Sequence, residues 1–234
     1  MVTITTRAAK GSTLTYSEMD GNFTALKAAI EALQDAQGSP PEWATAFYDD
    51  FSGLVTGDIG GQNGWIDASG TNAKPQVTAD AKLSMRTAVG PSFVYRTGSF
   101  TLPRISAIIN FGTDCGVSFG WGYTPGAPYF RVEFGAPAAR SVTVLYVNAS
   151  GAETNLFMTA ANPSLFSAGV DTSVRITAVA TGVRVEVNGS LAVNYVTDNP
   201  DHLALIAQAG GVMLRNGQGG VGQRLVDNYR IETS

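Results

Sequence analysis

The sequence holds one cysteine and one histidine in 234 residues. A lone Cys115 cannot form an intrachain disulfide, which fits synthesis in a reducing compartment and predicts a buried structural thiol. With His202 as the single imidazole, any Ser-His-Asp site must be built on it, and no G-x-S-x-G or comparable nucleophile-bearing turn accompanies it. A surface histidine is the expectation. Charge is sparse, at 15% of residues against a usual quarter. The fifteen Lys and Arg are scattered through a chain of net charge −4, so nucleic acid finds no cationic stripe to neutralise its phosphates. No apolar run reaches 18 residues, which predicts no membrane insertion. The opening "MVTITTRAAKGST" has no apolar centre of the kind a signal peptide needs. N-x-[ST] sequons at Asn22, Asn148 and Asn188 are therefore expected to be chance.

What is present divides into three patterns. Residues 1–13 are polar and Thr-rich and read as an extended arm with little structure of its own. Helical periodicity then appears once, in "LTYSEMDGNFTALKAAIEALQ". Thr15 and Glu18 make a T-x-x-E capping box. Apolar residues follow at intervals of three and four, with Tyr16, Phe23 and Ile30 at heptad position a and Met19, Leu26 and Leu33 at d. Ala29 and Ala36 at g widen the stripe, Gly38 ends the helix, and Pro40 and Pro41 prevent its restart. The expected boundaries are an oligomerising helix over 14–38 and a linker over 39–46. A helix packed on its own sheet is the alternative. Three heptads containing Gly21 are marginal alone, so the coil relies on association of the domains beside it.

From Phe47 to the end the period is two. Short runs such as "RISAIINF", "GVSFGWGY", "YFRVEFG", "SVTVLYVN", "SVRITAVA", "VRVEVNG", "LALIAQA" and "RLVDNYRIE" alternate with turns carrying some of the 27 glycines, along with Pro, Asn or Asp. A dozen or more such strands over 47–234 predict a mainly β, two-sheet sandwich.

"SVRITAVATGVRVEVNGSLAVNYV" resembles the strand–turn–strand–NG–strand core of the concanavalin A-like and laminin G-like jelly rolls. "FYDDFSG" and "LVDNYRIE" resemble the first and last strands that pair in that family. The helix is similar to the L-T-x-x-E-x-D-x-N-F-x-x-L segment near the N-termini of tailed-bacteriophage fibre and baseplate proteins, through Leu14, Thr15, Glu18, Asp20, Asn22, Phe23 and Leu26. That resemblance implies a virion-attachment arm, a trimerising helix and a displayed jelly-roll head. Ile at a with Leu at d favours two strands in a parallel coil, so the homotrimer is implied by the resemblance.

The glucanase members of the jelly-roll family carry an E-x-D-x-x-E strand motif, which this sequence lacks. Glu133 and Glu186 are lone strand carboxylates, expected to face solvent, and the chain is not expected to be an enzyme. In "CGVSFGWGYTPGAPYFRVEF" alternation places Val117, Phe119, Trp121 and Tyr123 on one face, predicted to fill the core. Tyr123 and Tyr129, at the turn end, are the candidate glycan-binding residues. No cofactor is required by the pattern. Lectin-like jelly rolls often hold a structural Ca²⁺ near the chain closure, and Asp49, Asp50 and Asp227 are the hard oxygen ligands available there; ordinary turn aspartates are the alternative.

These readings converge on a virion appendage (tail fibre, baseplate or spike subunit) made in the host cytoplasm. Its partners would be two further copies of itself, other virion proteins through the arm, and a host-surface glycan or protein. The alternatives are a capsule-degrading carbohydrate-active enzyme and a purely architectural decoration protein. If Phe47–Phe51 pairs with Leu225–Ile231, both ends of the sandwich lie at one pole and contact loops belong at the other. "TPGAP" at 124–128 and "NASGAE" at 148–153 are the first loops to consider, although the sequence does not fix their pole.

Overall fold

A computed structural model of the chain describes residues 4–36, 42–70, 72–85, 92–112, 116–135, 141–162, 165–216 and 224–234. The chain forms two compact units, Met1–Glu42 and Trp43–Ser234. Cys115, Gly38, Pro40, Pro41 and the Leu33 side chain lie outside the described residues.

In the first unit, helix α2 spans Tyr16–Ala36. Its start is the reciprocal cap that the sequence encodes: the Thr15 amide donates to Glu18 Oε2 at 2.7 Å, and the Glu18 amide donates to Thr15 Oγ1 at 3.3 Å. The Lys10 ammonium donates to the same carboxylate. The Lys10 bond first, then the two Thr15 donors, hold the Glu18 carboxyl down at about 2. The expectation of an extended arm with little structure of its own is corrected for its described residues, 4–13. Arg7–Lys10 form a helical turn, α1. Ahead of it, Asn22 Oδ1 accepts from the Thr5 amide at 2.9 Å while Asn22 Nδ2 donates to the Thr5 carbonyl at 2.7 Å. Glu18 and Asn22 thus fold the arm back onto the helix. The heptad residues stay open within this unit: Tyr16 is 85% exposed, Phe23 72%, Leu26 46% and Ile30 47%, with Met19 half-buried.

In the second unit, two antiparallel sheets face each other across one core. The nine-stranded sheet has the order β14 (Ser190–Val196), β13 (Gly182–Val187), β12 (Asp171–Val179), β7 (Arg104–Asn110), β16 (Arg224–Thr233), β5 (Leu83–Met85), β4 (Gln76–Val77) and β2 (Gly57–Asp58), with β1 (Ala44–Asp49) also paired to β16. The seven-stranded sheet has the order β11 (Glu153–Met158), β10 (Val142–Val147), β9 (Tyr129–Phe134), β8 (Val117–Tyr123), β15 (Gly210–Asn216), β6 (Phe93–Phe100) and β3 (Trp65–Asp67). First and last strands pair antiparallel, Phe47 opposite Ile231 and Asp49 opposite Tyr229. β1 begins at Ala44, so 44–46 are strand rather than linker.

Alternation builds the core. Ile105, Ala107 and Ile109 of β7, Val174, Ile176 and Ala178 of β12, and Val183, Val185 and Val187 of β13 meet Phe119 and Trp121 of β8 and Phe130, Val132 and Phe134 of β9 in one buried cluster. Each buried Val, Ile or Phe among them contributes about 1.5–3 kcal/mol. β13 and β14 are joined by Asn188 and Gly189 at φ 50° and 77°, the left-handed pair that a two-residue primed hairpin requires. All three sequon asparagines have side chains bonded to backbone: Asn22 to Thr5, Asn148 to Ser150 and Ala152, and Asn188 to Ser173.

"LALIAQA" was expected to be a strand and is not one. Its first four residues, 203–206, belong to helix α3, Pro200–Ile206, with Ala207 as the C-cap. The Asn199 N-cap accepts from the Asp201 and His202 amides with Pro200 in the first turn, and the cap overrides the apolar run. The short β2, β3 and β4 and the seven-residue β15 were not predicted. In β15 the sequence opens on two glycines. They are needed because a Cβ at Gly210 would lie 2.6 Å from the Gly122 carbonyl carbon, and one at Gly211 would lie 2.4 Å from the Arg96 carbonyl oxygen.

Candidate functional site

The outer face of the seven-stranded sheet carries aromatic, charged and hydroxyl side chains side by side. Register places Tyr95, Met213, Gly120, Arg131 and Leu145 in one cross-strand row. A parallel row holds Arg215, Ser118, Glu133 and Thr143. Val117, Phe119 and Trp121 fill the core as predicted, but Tyr123 does not. Opposite the irregularity between Gly211 and Val212, Gly122 takes φ +64°. This extra residue turns Tyr123 to the outer face.

There Tyr123 meets Tyr129 edge to face, with ring centroids 5.1 Å apart, and it also contacts Tyr95 at 5.1 Å and Phe93 at 5.2 Å. Phe93, Tyr95 and Tyr123 are half-buried and Tyr129 is nearly closed off. The two sequence-predicted glycan residues are thus brought together, and Phe93 and Tyr95 are added to them. Burial, then the neighbouring Tyr129 and Tyr95 rings, push the Tyr123 phenol up to about 12, so it is a neutral donor at physiological pH.

Beside this aromatic wall lies a network assembled from four strands. Arg131, 1% exposed, donates from Nη2 to Glu133 at 3.1 Å and to Glu153 at 2.8 Å. Arg215 donates to the other oxygen of Glu153 at 2.7 Å, and Ser118 Oγ donates to Glu133 at 3.2 Å. Glu133 is therefore not a lone solvated carboxylate. Burial pushes the Glu153 carboxyl up, but the hydrogen bonds from Arg215 and Arg131 outweigh it and hold Glu153 below the ordinary carboxylate value. The contact also reports shape. Arg215 on β15 reaches Glu153 on β11 across three intervening strands; a flat sheet would hold those strands roughly 19 Å apart. The sheet curls around this face.

The other predicted residues have different surroundings. Asp49 is 5% exposed and accepts from Trp65 Nε1 at 2.9 Å, Asn63 Nδ2 at 3.0 Å and the Phe51 amide at 2.8 Å. Its oxygens face donors. Asp50 accepts from the Ser52 amide and hydroxyl, and Asp227 from the Asn228 amide. Among the described residues no group of three or more His, Cys, Asp or Glu is placed to hold a metal ion. Glu186 pairs with Arg175 at 3.0 Å. His202 is half-buried rather than a surface residue: Nδ1 lies 3.2 Å from the Tyr195 hydroxyl, and the ring packs beside Phe130 and Tyr146.

Register also fixes the loops. Tyr123, Tyr129, Val147 and Glu153 share the end of the seven-stranded sheet that holds Phe100 and Gly210. The three residues after Phe100 lead directly to Arg104, which pairs with Glu232 beside the Ala44–Thr233 closure. "TPGAP" and "NASGAE" therefore sit at the pole where the chain enters the sandwich, and the expectation of contact loops facing away from it fails for both.

No protein-family model matches the chain, and no curated protein matches it in sequence. Solved structures do match in shape. A carbohydrate binding module, CBM66 from Bacillus subtilis, is 12% identical with a TM-score of 0.55 over 73% of this chain and 96% of its own. A protein of unknown function with a galectin-like fold, also from Bacillus subtilis, is 8% identical with a TM-score of 0.60 over 82% and 98%. The laminarinase catalytic domain of Thermotoga maritima is 14% identical with a TM-score of 0.58 over 83% and 99%. At these identities the likeness is one of fold: the chain is a jelly-roll sandwich of two antiparallel sheets.

Proposed function

We propose that the sandwich binds glycan through the curled outer face of its seven-stranded sheet, and that the chain is an appendage subunit of a tailed-phage virion, displayed as a trimer on α2. The observation that carries the glycan reading is the partly open cluster of Phe93, Tyr95, Tyr123 and Tyr129 next to the Arg131–Glu133–Glu153–Arg215 network. Sugar rings offer apolar C–H faces that pack on aromatic side chains and hydroxyls that need both donors and acceptors. A wall of rings edged by charged groups supplies both. The names of CBM66 and the laminarinase describe those proteins; they make carbohydrate the first ligand class to test here. The appendage reading rests on the fibre-like stretch Leu14–Leu26 and on the open Tyr16, Phe23, Leu26 and Ile30 side of a well-capped helix. Binding of the intact chain to a glycan array, with Tyr123→Ala as the paired control, tests the glycan reading.

One observation favours the enzymatic alternative. Glu133 and Glu153 bond to the same nitrogen at 3.1 and 2.8 Å, which brings two carboxylates toward the spacing of about 5 Å used by retaining glycosidases. Their electrostatics argue the other way. A general acid needs a raised pKa, whereas the hydrogen bonds from Arg215 and Arg131 hold Glu153 below the ordinary value. A non-catalytic site fits this arrangement better. Release of reducing ends from bacterial capsule by the wild type, abolished in Glu133→Gln, would establish the enzyme instead.

A further inference from the structure

The opposite face of the sandwich holds a groove that the glycan reading leaves unused. On β7, Ile105, Ala107 and Ile109 turn into the core, so Arg104, Ser106 and Ile108 face outward. Register then sets a single cross-sheet row: Tyr48 opposite Arg230, Arg230 opposite Ser106, Ser106 opposite Arg175, and Arg175 opposite Glu186. A small hydroxyl residue thus lies between two arginines on adjacent strands. The result is an open groove of about 270 Å³ lined by Tyr48, Ser106, Ser173, Arg175, Asn228 and Arg230, among others.

The β16 backbone is shaped around this groove. Its pairing with β7 shifts register between Asp227 and Arg230, and Asn228 sits at φ +51°. Tyr48 Oη donates to Asn228 Oδ1 at 2.5 Å, which fixes the amide and leaves its Nδ2 hydrogens for a ligand. Bulges commonly re-aim a side chain at a site in this way. The guanidiniums are only partly committed. Arg230 stacks on the Tyr48 ring at 5.2 Å, and Arg175 gives Nη1 to Glu186 at 3.0 Å. Nearby, Glu232 is taken by Arg104 at 2.7 Å and Asp227 by the Asn228 amide. Within a chain of net charge −4, this groove presents two cations with hydroxyls, an amide and an aromatic wall between them.

We propose that the groove is a second ligand site, selective for a carboxylate-bearing sugar unit of the uronic-acid type. Planar guanidinium forks match a carboxylate, Ser106, Ser173 and the Asn228 amide match ring hydroxyls, and Tyr48 flanks the ring. A bare phosphate would engage the arginines and leave the remaining groups idle. The site is independent of the Tyr123 face.

The test is titration of the intact protein with sodium glucuronate, glucose and inorganic phosphate, read by calorimetry or by backbone NMR shifts at Ser106 and Asn228. Glucuronate binds, while glucose and phosphate bind at least about tenfold more weakly. Arg230→Gln and Arg175→Gln each lose about tenfold, as expected for removal of one charge-assisted contact. Both variants keep the wild-type melting temperature, and Tyr123→Ala leaves glucuronate binding unchanged. Equal binding of phosphate and glucuronate would reduce the groove to an unselective anion site and overturn the proposal. No glucuronate binding at millimolar concentration, or binding that survives Arg230→Gln, would overturn it as well. Loss in Tyr123→Ala alone would move the ligand to the other face and equally refute the assignment.

Discussion

Tyr123 and Tyr129 stand edge to face with centroids 5.1 Å apart, and the left-handed turn at Gly122 is what puts them on one face. Any other residue at φ +64° is strained. Gly122→Ala is therefore expected to destabilise the sandwich by about 1 kcal/mol and to weaken glycan binding by more than that loss explains. Chemical denaturation and a binding titration on the same variant check both parts.

Arg131 sits fully buried between two carboxylates that remain about one-third exposed. Arg131→Met leaves Glu133 and Glu153 facing each other without their shared cation. Because solvent screens the exposed carboxylates, the expected cost is about 2 kcal/mol, less than for a fully buried pair. The pH dependence has a definite sign. Glu153 lies below its ordinary value of 4.5 in the fold, so its contribution is present above that value and is lost as pH falls through the folded pKa. The gap between wild type and Arg131→Met should be widest near neutrality and close in acid, as measured by denaturation across pH 3–7.

The local parts of this architecture were readable in the chain. Thr15 and Glu18 lie three residues apart, as do the members of any capping box, and Asn188-Gly189 declares its hairpin without help from other strands. Tyr123 was misplaced because the irregularity that turns it involves Gly211 and Val212, almost ninety positions later. Separation in sequence also hides the Arg131 network, drawn from β8, β9, β11 and β15, in which Arg215 and Glu153 lie 62 positions apart. Strand β15 itself was missed because two glycines carry no side-chain pattern. The α3 error was different: the Asn-Pro-Asp start signal was present, and the apolar run after it was given more weight.

Asp49, on the first of the paired terminal strands, accepts from three donors, Trp65 Nε1, Asn63 Nδ2 and the Phe51 amide. Asp49→Asn turns one acceptor into a donor facing donors and should cost about 2 kcal/mol. With its oxygens so engaged, the account expects a chelator to leave the melting temperature of the wild type unchanged. A fall of several degrees on chelation, reversed by calcium, would contradict this and support calcium at the closure.

Leu26→Asp with Ile30→Asp places charges in the helix seam, where burial is costly. Light scattering is expected to give three chain masses for the wild type and one for the double variant, with the sandwich still folded by circular dichroism. One chain mass for the wild type removes the displayed trimer.

The most direct test of the central claim is a glycan-array comparison of the wild type with the Tyr95→Ala/Tyr123→Ala double variant at matched folded concentration. The account predicts a defined set of bound glycans for the wild type and a loss of about tenfold or more in the variant. Undiminished binding by the double variant, or no glycan retained by the wild type, would contradict it.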